Sequence, residues 1–183
     1  PPPPRRSPEG KLLPAEGPRD RKVPAQDESG FANLALNPQA KAAASSLLPG
    51  HAIHQVPHLN DGLAGNSHSW ISAQEPSWAE IDLGGVYWVW KVAFGSDSSQ
   101  QYTDRAAVAF SILAATQYSA DSAASSWRAV HRQSAGPPVH VRTPFVFRPV
   151  QARLVRIAVD AANQNQARID EIEIYGQKTP IPP

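Results

Sequence analysis

Hydrophobic residues recur at every second position through most of the chain between residues 31 and 176. Because successive side chains of a β-strand point to opposite faces, this period predicts strands with one face in a core. On this pattern we place Trp88 and Trp90 on a core-facing strand side. The alternating sets are Ala79/Ile81/Leu83, Val86/Trp88/Trp90/Val92/Phe94, Val108/Phe110/Ile112/Ala114, Val155/Ile157/Val159 and Ile172/Ile174.

Turn-forming residues separate these predicted strands. Gly84-Gly85, Gly95-Ser96-Asp97 and Gly136-Pro137-Pro138 each follow an alternating segment, and such clusters favour turns. Only residues 39–48 resemble a helix, which Pro49-Gly50 would end. Many short strands without helices between them predict an all-β chain, an antiparallel sandwich or jelly roll.

The two ends of the chain differ from this pattern. Residues 1–30 hold eight prolines and no aromatic residue, so they have little apolar surface to bury and we predict a disordered, extended linker. Residues 177–183 are interpreted as a second linker. The sequence thus predicts one globular unit at residues 31–176, part of a longer protein with further fused domains.

Composition excludes several functions. The net charge is +1, which gives no reason to expect nucleic acid as a partner. No apolar run approaches the roughly 20 residues that span a bilayer, so membrane insertion is not expected. Cysteine is absent, which excludes disulfides and thiol catalysis. No Gly-x-Ser-x-Gly motif occurs, and the carboxylate pairs Glu80/Asp82 and Asp170/Glu171 are interpreted as outward-facing strand residues.

Several short motifs, taken in order, resemble the coagulation factor 5/8 type C (discoidin) domain family. The resemblance covers about 145 residues, and within the family this chain is closest in character to the bacterial family 32 carbohydrate-binding modules. It implies a galactose-binding-like jelly-roll β-sandwich of about eight antiparallel strands, with ligand loops at the end away from the termini. The matching segments are Asn33-Leu34-Ala35, Asn60-Asp61-Gly62, Ser69-Trp70, Trp78–Gly84, Val89–Phe94, Phe110-Ser111-Ile112, Trp127–Val130, Arg153–Ile157 and Glu171–Gly176.

The resemblance also implies a structural calcium ion. Asp61 matches the family's loop carboxylate and Glu171 its closing glutamate, while Asn66 could add an oxygen. The segment from Asp61 to Trp70 is about two residues longer than is usual in the family, which leaves the loop ligands open. Alternatively, Asp61 caps a turn and Glu171 is a solvated strand residue.

Three loops carry candidate ligand-binding residues. A sugar site needs planar polar groups and an aromatic face, and the first choices are His54, Tyr102, Arg105 and Asn163. Arg105 could instead form a structural ion pair with Asp104 or Asp97. The spacing of His51, His54 and His58 could suit zinc, but the flanking prolines disfavour the helix that would bring the imidazoles together.

These observations predict a non-catalytic carbohydrate-binding module that tethers a larger protein to a glycan. The expected location is secreted or on the cell surface, in a bacterial exported protein. Two alternatives remain open: a cell-surface or protein adhesion domain that uses the same loops, and a structural accessory module without a ligand.

Overall fold

A computed structural model describes residues 20–97, 101–117, 126–164, 166–177 and 179. Within these residues the chain is built from β-strands and two short 3₁₀ helices, Leu34–Leu36 and Val56–Asn60. The strands are β1 (Arg21–Lys22), β2 (Ala32–Asn33), β3 (Lys41–Ala44), β4 (Leu63–Ala64), β5 (Trp70–Ile71), β6 (Ser77–Gly95), β7 (Ala107–Ala115), β8 (Arg128–Gln133), β9 (Thr143–Ala162), β10 (Arg168–Ile169) and β11 (Glu171–Gly176).

The strand pairings form two antiparallel layers that share the long strands β6 and β9. In one layer, residues 79–82 of β6 lie between β3 and β9, and β9 continues through β7 to β8. In the other, residues 89–95 of β6 lie between β11 and the first half of β9, with β2 on the far side of β11. This arrangement confirms the β-sandwich.

Aromatic side chains join the two layers in the core. Phe94 of β6 meets Phe110 of β7 edge to face, with ring centroids 5.2 Å apart. Phe145 of β9 lies 5.3 Å from each of them. Trp70 and Tyr87 are also fully buried. Apolar burial of this kind is the main stabilising contribution to folding, and no cysteine is needed to hold the sandwich closed.

A register shift in β6 overturns the predicted environment of Trp88. The pairing of β6 with β9 is irregular between Val89 and Lys91, and an extra residue at a β-bulge reverses which side chains face inward. Val89 and Val92 are therefore both buried, whereas Trp88 is 39% exposed and Trp90 is half-buried against the Phe31 ring. The strict period of two fails at this position.

Residues 20–30, predicted as linker, pack against the sandwich. Arg21–Lys22 pairs with Leu63–Ala64, Val23 is buried, and Asp27 forms an ion pair with Lys91. Backbone pairing and a buried ion pair fix a segment whose composition alone favours disorder. Residues 1–19, 178 and 180–183 of the predicted linkers lie outside the described residues.

Two other local expectations were wrong. The helix-like stretch at residues 39–48 contains strand β3, because Lys41–Ala44 pairs with β6 and alternates exposed and half-buried residues. Three of the four carboxylates expected to face outward are buried. Glu80 and Asp170 each form an ion pair with an arginine, and Glu171 accepts a hydrogen bond from a backbone N–H.

Candidate functional site

Three loops meet at one end of the sandwich and form what we call the loop cluster (residues 51–55, 101–106, 163–164 and 166–168). Backbone hydrogen bonds join the second and third loops: Arg105 N–H donates to the Asn163 carbonyl (2.8 Å), and Arg168 N–H to the Arg105 carbonyl (2.9 Å). The cluster lies beside Asp170, at the start of β11, whereas the chain leaves β11 at Gly176. The loops thus lie at the end away from the C-terminus.

The loop cluster contains strained backbone. Arg105 and Gln166 have φ of 64°, and Gln164 has φ of 80°. Residues with side chains seldom adopt this left-handed region, and such outliers concentrate at binding sites where surrounding contacts enforce them. The strain therefore marks residues 105, 164 and 166 as positions held in place by the fold.

Asn163 is one of the residues that enforce this conformation. Its Oδ1 accepts a hydrogen bond from Ala106 N–H (2.5 Å), and its Nδ2 donates to the Thr103 carbonyl (2.7 Å). Both ends of the amide thus bind the backbone of the neighbouring loop. The structure places this predicted ligand residue in the cluster, where its geometry is that of a positioning residue.

Arg168 and Asp170 form the buried base of the cluster. The guanidinium donates from Nε and Nη2 to Asp170 Oδ1, at 3.0 and 2.8 Å. The ring of Tyr102 lies 5.9 Å from the same guanidinium and is 43% exposed. Tyr102 is therefore a partly exposed aromatic residue near a buried cation. The sequence offers only the i, i+2 spacing of Arg168 and Asp170 as a signal for the pair, and Asp170 lies in the bend between β10 and β11.

His54 lies within reach of the same positive charges. Burial, followed by the charges of Arg168, His51 and Arg105, lowers the pKa of His54 to about 4. The imidazole is therefore neutral at pH 7. Its Nδ1 lies 2.8 Å from Ser69 Oγ, which fixes the orientation of the ring. A neutral imidazole has one donor and one acceptor nitrogen.

Arg105 is positioned partly by its neighbour. Its Nε lies 3.3 Å from Asp104 Oδ2, and both side chains are partly exposed. The structural ion pair considered from the sequence therefore exists. An exposed pair of this kind contributes little to stability, so the guanidinium keeps donors that can turn toward a ligand.

The predicted calcium residues lie near one another but engage different partners. Glu171 is buried; its Oε1 accepts from Gly62 N–H (3.1 Å), and its Oε2 is buried without a hydrogen-bond partner. Burial and then the Asp61 charge raise the pKa of Glu171 to about 9. The interpretation of Glu171 as a solvated residue is therefore wrong.

Asp61 has both carboxylate oxygens occupied. Oδ1 accepts from Leu63 N–H (2.9 Å), the turn-capping contact considered from the sequence, and Oδ2 lies 2.7 Å from His68 Nδ1. Asn66 contributes its main-chain carbonyl to Ser69. His68 could not be predicted as a member of this group from the sequence, because its pairing with Asp61 depends on how the loop between them turns back.

Comparison with known proteins gives the fold. No protein-family model matches the chain, and no curated protein matches it. Among solved structures, a family 32 carbohydrate-binding module of Clostridium perfringens NanJ, in complex with galactose, has a TM-score of 0.64 at 15% identity. That alignment covers 79% of this chain and 98% of the module.

Two further structures have similar scores. Chitosan-binding module 2 of a Paenibacillus sp. IK-5 chitosanase/glucanase, in complex with chitotriose, has a TM-score of 0.64 at 24% identity, covering 79% of this chain and 100% of the module. A fucolectin from striped bass (Morone saxatilis) serum has a TM-score of 0.64 at 18% identity, covering 80% and 49%.

These neighbours confirm the galactose-binding-like, discoidin-type fold that the sequence motifs predicted. At such identities the likeness establishes the fold and leaves the ligand to be argued from the residues of this chain. Within the described residues, no helix is both long and apolar enough to cross a membrane.

Proposed function

We propose that this chain is a non-catalytic carbohydrate-binding module whose loop cluster binds a glycan. The observation that carries the proposal is the exposed Tyr102 ring above the Arg168–Asp170 pair, flanked by Arg105 and neutral His54. The neighbours with this fold include modules whose structures contain galactose and chitotriose. The similar fold makes glycan binding a reasonable expectation, and the side chains of the loop cluster provide groups that can bind a sugar.

The groups of the cluster match what a sugar ring presents. An aromatic face packs on the C–H side of a pyranose, and Tyr102 offers that face. Hydroxyl groups need both donors and acceptors; the Arg105 guanidinium donates, and neutral His54 has one donor and one acceptor nitrogen. Asn163 anchors the loop that carries Tyr102 and Arg105, so it acts through Arg105 rather than on the sugar.

The buried carboxylates support a non-catalytic role. Glycoside hydrolysis uses two carboxyl groups that flank the bond to be broken. Glu80 is bound by Arg156, Asp170 by Arg168 and Glu173 by Arg142. Ion pairs therefore hold these three carboxylates in structural contacts, and Glu171 is the buried carboxyl group that the calcium ion proposed below would engage. Some solved neighbours are parts of glycoside hydrolases, which agrees with a module that serves an attached enzyme.

A structural calcium ion bound through Glu171, Asp61 and an Asn66 oxygen is part of this proposal. The supporting observation is the buried Oε2 of Glu171, which lacks a protein partner. A divalent cation beside it would satisfy that oxygen and offset the repulsion from Asp61. Calcium prefers six to eight oxygen ligands, and Asp61 could supply one by its carboxylate. Glu171 Oε2 has no hydrogen-bond partner to lose, whereas each Asp61 oxygen would give up a partner to bind the ion.

Attachment to an exported protein follows from the proposed activity. A glycan-binding module raises the local concentration of its parent protein on a polysaccharide or glycoconjugate surface. We therefore propose a secreted or cell-surface location and fused domains that perform the chemistry.

A glycan array with matched variants tests the proposal. The wild-type chain and the variants Tyr102→Ala, Arg105→Ala and Trp88→Ala are compared. Trp88 is the matched control, because it is exposed to a similar extent but lies on β6 outside the loop cluster. We expect glycan affinity to fall by up to about tenfold in Tyr102→Ala, since an aromatic contact contributes about 0.5–1.5 kcal/mol beyond its burial, and to persist in Trp88→Ala.

Two results would overturn the proposal. If no glycan binds while the folded chain retains a partner protein in a pull-down, the adhesion alternative replaces it. If a glycan binds but only Trp88→Ala abolishes binding, the sugar site lies on the sheet and the loop cluster is structural.

A further inference from the structure

We propose that His58, Asp61 and His68 form a binding site for a borderline divalent ion such as Zn²⁺, with Asp20 orienting one of the imidazoles. The site is independent of glycan binding by the loop cluster. One ligand atom from each of the three residues lies within 4.8 Å of the other two. Zinc sites commonly combine imidazole nitrogens and carboxylate oxygens at about 2.0–2.2 Å from the ion.

The fold brings these residues together from three local structures. His58 lies in the second 3₁₀ helix, Asp61 follows that helix, and His68 lies beyond β4. The rings of His58 and His68 have centroids 5.0 Å apart. All three side chains are partly exposed, so an ion can enter from solvent.

His58 is oriented as a metal ligand usually is. Its Nδ1 lies 3.3 Å from the Ser69 carbonyl, which can only accept a hydrogen bond. The proton is therefore on Nδ1, and Nε2 keeps its lone pair. Metal-binding histidines almost always donate their second ring N–H to a carbonyl or carboxylate in this way.

Both ring nitrogens of His68 lie near a carboxylate. Its Nδ1 lies 2.7 Å from Asp61 Oδ2, and its Nε2 lies 3.7 Å from Asp20 Oδ2. A divalent ion between His68 Nδ1 and Asp61 would displace the proton shared there to solvent. His68 Nε2–H would then point to Asp20, which gives a carboxylate–histidine–metal arrangement.

Gly65 allows Asp20 to approach. A Cβ atom at residue 65 would lie 2.2 Å from Asp20 Oδ1, which is closer than any side chain permits. Asp20 Oδ1 is buried without a hydrogen-bond partner. The N-terminal segment beside β1 thus brings a carboxylate into the loop, and binding of an ion would link this segment to residues 58–68.

The donor set distinguishes this ion from calcium. Imidazole nitrogen suits zinc, copper and nickel, whereas calcium binds oxygen. Asp61 is shared between the two proposed sites, with His68 on one side and Glu171 on the other. Substitution of the histidines should therefore affect only zinc, and substitution of Glu171 only calcium.

Titration calorimetry of the chain without a histidine tag tests the proposal. ZnCl₂ is added to the wild type and to His58→Ala, His68→Ala, Asp20→Asn and His51→Ala. His51 is the matched control, because it is exposed and pairs with His54 rather than with this group. We expect one zinc ion per chain, loss of binding in His68→Ala, about tenfold weakening in Asp20→Asn and wild-type affinity in His51→Ala.

Cobalt gives a second readout of the same site. Co²⁺ bound by two imidazoles and a carboxylate in tetrahedral geometry absorbs visible light strongly, and we expect this absorption in the wild type and in Glu171→Gln but not in His68→Ala. The proposal is overturned if zinc fails to bind the wild type, or if His51→Ala weakens binding while His58→Ala does not. If His68→Ala does not fold, His58→Ala and Asp20→Asn decide the result.

Discussion

Two arginines of this chain have similar partners but different surroundings. Arg156 binds Glu80 through Nε and Nη2 and lies between the rings of Trp78 and Trp127, 4.0 and 4.3 Å from their centroids. Arg168 binds Asp170 in the same way, but its aromatic neighbour is the Tyr102 ring at 5.9 Å.

The difference separates a structural arrangement from a binding one. Two indole rings lie close to the Arg156 guanidinium, so its cation–π capacity is used within the fold. The Tyr102 ring lies farther from Arg168, and Tyr102 is 43% exposed. The same chemistry stabilises the sheet at one site and leaves a surface for a ligand at the other.

The largest change in the free energy of unfolding is expected on substitution of Arg156. Arg156→Ala leaves the Glu80 carboxylate buried without its ion-pair partner, and breaking a buried pair costs about 3–5 kcal/mol. Urea unfolding of the wild type and the variant measures this loss. A change below about 1 kcal/mol would mean that water or another group replaces the guanidinium, and the comparison would fail.

The second effect is a pH dependence of the free energy of unfolding that arises at His54, beside Arg168. His54 has a folded pKa of about 4, lowered from 6.5 by burial and then by Arg168. The unfolded chain therefore takes up the proton first, and this contribution to stability is lost as the pH falls from about 6.5 to about 4. The integrated loss is at most about 3 kcal/mol.

Unfolding at pH 7, 5.5 and 4.5 measures the His54 contribution as a difference between the wild type and His54→Asn. We expect the wild type to lose more stability on acidification than His54→Asn. Equal slopes in the wild type and His54→Asn would show that His54 is not buried beside the arginines.

The smallest expected change in stability accompanies the largest expected change in binding. Tyr102→Ala removes a half-exposed ring, and surface substitutions usually change the free energy of unfolding by less than about 0.5 kcal/mol. Trp127→Ala exposes one face of Arg156 and should cost more, without a change in glycan affinity. Urea unfolding and array binding of both variants measure the contrast. A Tyr102→Ala chain that unfolds readily would place Tyr102 among the structural residues.

Much of the fold could be predicted from local patterns, because alternation reports directly which strand face is buried. Ile81, Phe110 and Ile157 are all fully or nearly fully buried, as the period of two predicts. The prediction that Trp88 faces the core was wrong because a bulge in β6 reverses the alternation, and bulges leave no clear local signal in the sequence.

The candidate site was only partly predictable, since its members come from distant segments. His54, Tyr102, Arg105 and Asn163 do come together, but Asn163 is used to hold backbone. Arg168 was missed because its role depends on Tyr102, 66 positions away, and His68 because its role depends on how a loop folds back. Pairings of this kind require coordinates.

The most direct test of the account is to map where a sugar contacts the chain. Galactose and chitotriose are titrated into ¹⁵N-labelled protein, and amide chemical shifts are followed residue by residue. We predict that the shifts concentrate at residues 54, 102, 105 and 168, while those of residues 78, 127 and 156 stay in place. Saturable shifts that concentrate instead around Trp88, with the loop cluster unmoved, would contradict the central claim.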